Sequence, residues 1–235
     1  MEKQATLKRN RKKGIPADSG CRLEAVYYTD PLCCWSWAFE PVIQRLVNEY
    51  GERLSLRYCM GGMLSGWNNY HDTLHAVSRP IQMGPVWMQA RQLSGVELND
   101  TIWFTDPPAS SYPACVAVKA AALQSEHLAA QYLLRLRTAV MLKAKNIAKK
   151  EVLISVAEEL SAENPLFDTG KFRKQLTCQQ AIDAFRADMQ ETKYRGIHRF
   201  PSLLLQVKGT GKTLLLTGNR PFEAISSCIA QLLSA

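Results

Sequence analysis

Asp30-Pro31-Leu32-Cys33-Cys34-Trp35-Ser36-Trp37-Ala38-Phe39-Glu40-Pro41 is the stretch on which the fold turns. Leu23-Glu24-Ala25-Val26-Tyr27-Tyr28 runs into it as an apolar, strand-like segment. Pro41-Val42-Ile43-Gln44-Arg45-Leu46-Val47 leaves it with helical spacing. Two cysteines therefore stand where a strand hands over to a helix. The unpaired amides and the dipole at a helix N-terminus stabilise negative charge, so a thiolate can be held there. Cys-x-x-Cys spacing would bring a second thiol one turn on. This chain has Ser36 at that position and Cys34 directly beside Cys33.

The flanking segments extend the pattern. Residues 22–29 read as a strand and residues 35–50 as a helix, with Gly51 in the C-cap role. Leu54 to Met60 alternates as a second strand, ended by Gly61-Gly62. A β-α-β opening implies parallel strands joined by a right-handed crossover. From about Pro80 to Lys193 the apolar spacing is helical. Candidate helices there are Gln82 to Leu93, Pro113 to Leu123, Glu126 to Leu142, Val152 to Leu160, Lys171 to Leu176 and Gln179 to Tyr194. Ser202 to Val207 is a strand, Lys208-Gly209-Thr210-Gly211 a hairpin turn, and Lys212 to Thr217 its antiparallel partner. Pro221 to Leu233 closes the chain as an amphipathic helix. The expectation is an α/β fold: a thioredoxin-like sheet, β-α-β … β-β-α, split by a helical insertion. By residue, 1–20 is a flexible basic tail, 21–64 with 195–235 the thioredoxin-like domain, and 65–194 the insertion.

Composition narrows the class. The 235 residues suit one large domain, and a hydrophobic fraction of 46% supplies its core. No apolar run approaches the ~20 residues that span a bilayer. The polar, basic N-terminus has no apolar stretch of the signal-peptide kind, so the expected location is cytoplasmic. The seven cysteines, Cys21, Cys33, Cys34, Cys59, Cys115, Cys178 and Cys228, are odd in number and lack framework spacing. In a reducing cytosol they are expected as free thiols. Cys115, Cys178 and Cys228 lie in apolar helical patterns and read as small core residues. The net charge is +8, and Lys3, Lys8, Arg9, Arg11, Lys12 and Lys13 against Glu2 and Asp18 place about half of it in the tail. The remainder lacks the aromatic and basic interleaving of single-strand binders. Neither specific nucleic acid nor membrane is expected as a partner.

These residues resemble the DsbA-like family of thioredoxin-fold disulfide oxidoreductases, in particular its cytoplasmic bacterial branch of predicted protein-disulfide isomerases. That branch carries an Asp-Pro-Met-Cys-Ser-Trp-Cys-Trp-Gly-Phe-like segment after strand one. Asp30, Pro31, Cys33, Trp35, Trp37 and Phe39 fit it; Cys34 stands where the family has Ser, and Ser36 where it has the second Cys. Phe200-Pro201-Ser202 is similar to the family's cis-proline turn. Gly61-Gly62 and the run from Pro107 to Ala114 are further landmarks.

The resemblance and the residues together make Cys33 the candidate nucleophile, its sulfur exposed in the turn and its pKa lowered by the helix; the ordinary alternative is a buried, inert cysteine. Ser36 occupies the resolving position. A hydroxyl forms no disulfide, but it can donate a hydrogen bond to the Cys33 thiolate; otherwise Ser36 is only a helix N-terminal residue. The resemblance implies that Pro201 is cis, faces Cys33 and docks an extended substrate by strand addition. Phe200 would flank the thiol, with Trp35 and Cys34 as accessory residues. Cys34 reads most simply as an exposed or half-buried thiol without a role. Cys59 at the end of strand two, on the same sheet edge as Cys33 by parallel pairing, is a core residue or a resolving thiol for Cys33, and His198 and Arg199 lie just upstream of the turn.

Three motifs mislead. Gly209-Thr210-Gly211-Lys212-Thr213 imitates a phosphate loop but lacks its first glycine and precedes a strand. His71 and His75 have metal spacing without the adjacent glutamate, and no metal is expected. Trp67, Trp87 and Trp103 read as lining a core or groove. The leading reading is a monothiol thiol-disulfide oxidoreductase or isomerase acting on protein or peptide thiols. It has no bound cofactor, and glutathione serves as co-substrate. The alternatives are a redox-inactive protein-binding adaptor and a glutathione-dependent transferase or isomerase.

Overall fold

The computed structural model describes residues 23–72 and 74–234. The expected tail, residues 1–20, and Cys21 lie outside them. Four strands form one sheet in the order β2-β1-β3-β4: β1 Leu23–Thr29, β2 Leu54–Met60, β3 Ser202–Val207 and β4 Thr213–Thr217. β1 runs parallel to β2, from Leu23 opposite Leu54 to Thr29 opposite Met60. β1 and β3 are antiparallel, as are β3 and β4. β1 is central, which explains an apolar segment with too little alternation for a one-sided strand.

The helices are α1 Cys34–Ala38, α2 Glu40–Tyr50, α3 Met83–Ser94, α4 Ile102–Thr105, α5 Tyr112–Ala122, α6 Glu126–Met141, α7 Lys150–Glu163, α8 Thr169–Gln175, α9 Gln179–Tyr194 and α10 Phe222–Ser234. Seven of them, α3 to α9, lie between β2 and β3, so the sheet is split by a helical insertion. Where the sequence reads one helix over 35–50, the structure has two. Pro41 has no N–H for the Trp37 carbonyl and its ring crowds that carbonyl, so the helix restarts at Glu40 with the proline in its first turn. α4 has only four residues, too few for periodicity to reveal it. No helix among the described residues is long and apolar enough to cross a membrane.

α5 packs against α6 and α9 through Ala114, Ala117, Ala120 and Ala121, all fully buried, whose small side chains let the helices approach. Cys115 shares that core. Cys178 does not: it is half-buried at the N-cap of α9, where its sulfur accepts the Ala181 N–H. Cys228 is half-buried on α10. Both were expected in the core. Cys178 caps its helix instead of lying within it, and periodicity does not separate a cap from the first helical residue.

Arg137 of α6 ties the insertion to the sheet. Its side chain is fully buried and bonds Glu40 at the start of α2 and Thr29 at the end of β1. Its guanidinium lies 5.7 Å from the centre of the Tyr27 ring. Removing one partner of a buried pair strands the other charge away from water, which costs far more than losing an exposed pair. Arg137→Ala is therefore expected to lower unfolding stability by about 3–5 kcal/mol in urea titrations. Arg135→Ala, two residues away on the same helix, breaks only an exposed pair with Glu163 of α7 and should cost about 1 kcal/mol or less.

Candidate functional site at the end of the central strand

Directly after β1 the chain turns a fully buried acid, Asp30, inward. One carboxylate oxygen of Asp30 accepts the Leu32 N–H at 2.9 Å. The other accepts the Met63 N–H at 2.7 Å, the Ser111 hydroxyl at 2.8 Å and the Cys115 thiol at 3.5 Å. The Asp30 carbonyl accepts the Cys33 N–H at 3.1 Å. Burial pushes the carboxyl above its ordinary 3.8, and these hydrogen bonds oppose the rise. Asp30 thus fixes the turn that carries Cys33. In the sequence it is legible as the start of an Asp-Pro turn, but Met63 and Ser111, its distant partners, are not.

Cys33 is the N-cap of α1. Its sulfur accepts the Ser36 N–H at 3.4 Å, and its thiol donates to the Phe200 carbonyl at 3.5 Å. Two expectations are corrected here. The sulfur is not exposed: Cys33 is 4% accessible, at the floor of a groove. Its pKa is not lowered: burial pushes the thiol above 9.0, outweighing the pull of Ser36 and Arg137, with Asp30 adding to the rise. α1 has only five residues, and one short turn offers little dipole against that desolvation. Ser36 also differs from expectation, since its backbone amide supplies the hydrogen bond. The hydroxyl lies beside the sulfur and helps hold the thiol down, yet it is buried and aligned with no partner. An unpaired buried hydroxyl costs about 1–3 kcal/mol.

The neighbours divide clearly. Cys34 is buried in the main core, not exposed or half-buried, and Trp35 is half-exposed along the groove. The Phe200–Pro201 peptide is cis. Cys59 faces away from Cys33, toward α9, where its thiol donates to the Asp188 carbonyl at 3.4 Å; burial, then Asp188, pushes it up to about 12. It is a core residue.

The groove encloses about 790 Å³ over Cys33. Trp35, Gly61, Tyr70, Phe200 and Pro201 line it, with His71, Asp72, His75, His198 and Arg199 on the rim. His75 Nδ1 lies 2.7 Å from Asp72, and no cluster of metal-ligating side chains occurs among the described residues. Trp67, Trp87 and Trp103 stack edge to face, the last two fully in the core. The phosphate-loop imitation forms the hairpin between β3 and β4.

A family model described as thioredoxin matches residues 27–227. A Halalkalibacterium halodurans protein named ClpXP adapter protein SpxH is 29% identical over 90% of this chain and 68% of its own length. The Bacillus subtilis protein of that name is 28% identical over 90% of this chain and 68% of its own. Among solved structures, the cytosolic disulfide reductase DsbM of Pseudomonas aeruginosa superposes with a TM-score of 0.69 at 21% identity, covering 90% of this chain and all of that one. DsbM has also been solved with GSH. At such identity the structural likeness shows the fold alone.

The groove wall has one close backbone approach. The Phe200 ring rests directly on Gly61, so that a Cβ at position 61 would fall inside the ring. Gly61→Ala should cost about 1–3 kcal/mol by overpacking. Combined with Phe200→Ala it should cost less than the two single changes added together, because the clash is then absent. Thermal or urea melts of the four chains measure that coupling.

Proposed function

The chain belongs to the thioredoxin family, and we propose that it works as a protein-binding adaptor whose thioredoxin-type groove holds an extended segment of a client protein. The observation that carries this reading is the state of Cys33: a buried, hydrogen-bonded thiol, raised above its ordinary pKa, with a serine where a resolving thiol would stand. Disulfide exchange needs a thiolate to attack and a second thiol to release the mixed disulfide. Burial works against the first and Ser36 withholds the second from within the site, but the groove does offer binding. The backbone amides of Arg199 and Phe200 have no partner among the described residues, beside a half-buried aromatic ring and half-exposed Trp35. An extended segment can pair with such a turn by strand addition while its side chains enter the cavity. Support also comes from the curated relatives, which are named ClpXP adapters and align over nine-tenths of the chain. A client held this way would be handed to a ClpXP-type protease in the cytosol.

A second reading has one specific observation in its favour. Cys33 borders the groove and accepts the Ser36 amide hydrogen bond at 3.4 Å. In that reading the Cys33 thiolate attacks a protein disulfide, forms a mixed disulfide and expels one thiolate; an external thiol such as glutathione then displaces Cys33. One experiment separates the two. The chain is expressed in a Bacillus subtilis strain lacking SpxH, and pulse-chase mass spectrometry follows the proteins that the strain fails to degrade. An adaptor restores their turnover, and Cys33→Ser restores it equally. Restoration lost in Cys33→Ser favours thiol exchange; no restoration by either chain contradicts the adaptor reading. Ser36→Cys should add dithiol disulfide reductase activity to the purified protein, because it supplies the missing thiol one turn from Cys33.

A further inference from the structure

Edge strands are normally blunted by lysine, proline or a bulge, because their outward N–H and C=O groups invite pairing. β4 has none of these devices within it: it reads Thr213-Leu214-Leu215-Leu216-Thr217. Among the described residues it lies at one edge of the sheet and pairs only with β3. The direction of its groups follows from two hydrogen bonds. Val207 N–H donates to the Lys212 carbonyl, and Gly218 N–H donates to the Pro201 carbonyl. Residues 212 and 218 therefore bond inward, as do 214 and 216 by alternation, and residues 213, 215 and 217 point their backbone outward. Among the described residues, only the Thr217 carbonyl of this outward set has a partner, the Arg220 guanidinium at 3.3 Å. Leu215 is 42% accessible.

The outward set is symmetric about Leu215, and so are the side chains. We propose that β4 is a dimerisation edge that pairs antiparallel with β4 of a second copy of this chain, two-fold about Leu215. In that register Leu215 faces Leu215, and Thr213 faces Thr217 of the second copy. Every outward N–H then meets a carbonyl, with Arg220 released from Thr217. Leu214 and Leu216 face each other across the pair, beside the cores that Leu216 already joins. No charged residue meets a like charge, since Lys212 falls opposite Gly218. The register also uses the phosphate-loop imitation, which the groove leaves unexplained. Gly218 and Asn219 line the rim of the Cys33 groove. The second copy's Gly211 and Lys212 face them, so each hairpin extends its neighbour's groove wall with a positive charge.

Light scattering on the full chain tests the pairing. The natural chain should give twice 26.4 kDa. Leu215→Lys should give 26.4 kDa with unchanged far-ultraviolet circular dichroism, because like charges would stand directly opposite across the two-fold. Leu215→Cys is the second variant. Facing residues in a hydrogen-bonded pair have Cα atoms about 5.5 Å apart, within disulfide range. Mild oxidation should therefore link two chains, with peptide mapping placing the bond between the two 215 positions. A monomeric natural chain, a dimer that persists in Leu215→Lys, or a linked peptide from other cysteines only would each overturn the proposal.

Discussion

Asp30 brings a carboxylate into the interior at the point where β1 gives way to α1, and three segments far apart in sequence converge on it. Leu32 donates from the turn, Met63 from the loop after β2, and Ser111 and Cys115 from the start of α5. A buried acid is costly unless its oxygens are filled, so these donors hold one another's segments in place. The insertion is thereby anchored at the groove, as Arg137 anchors it through Glu40 and Thr29. The position of Cys33 follows, because its amide rests on the Asp30 carbonyl.

The chemistry of Cys33 is a contest between two effects. A helix N-terminus favours a thiolate, and desolvation disfavours it. Here the helix is five residues long and the sulfur sits at a groove floor, hydrogen-bonded as a donor to the Phe200 carbonyl. Desolvation wins. The Phe200-Pro201 turn faces the sulfur and lines the same groove. Ser36 stands one turn on, where a resolving thiol would stand, and its buried hydroxyl is aligned with no hydrogen-bond partner.

Most of the fold was legible because strong local patterns agree with the tertiary answer. The strand over residues 202–207 and the helix over residues 179–194 match the structure residue for residue, and Gly209 and Gly211 mark the hairpin. The broken helix at Pro41 and the short α4 were not read, the first because apolar spacing continues through the break. At the site, Cys33, Ser36, Phe200 and Pro201 were recognised and the structure brings them together. Their states were not legible. Whether a turn cysteine is exposed depends on Phe200 and Asp30, which the sequence separates from one another by most of the chain. Cys34 and Cys59 show the same limit, since a thiol's burial is a property of what packs over it.

The central claim is that Cys33 is a buried thiol on the floor of a binding groove, not one poised for attack. The direct measurement is the pH dependence of its alkylation, with the labelled site assigned by mass spectrometry. The expected result is a Cys33 profile that is still rising at pH 9.0, the ordinary thiol value, with slow labelling at neutral pH. A profile that reaches half its plateau well below that value would show an activated thiolate and contradict the account.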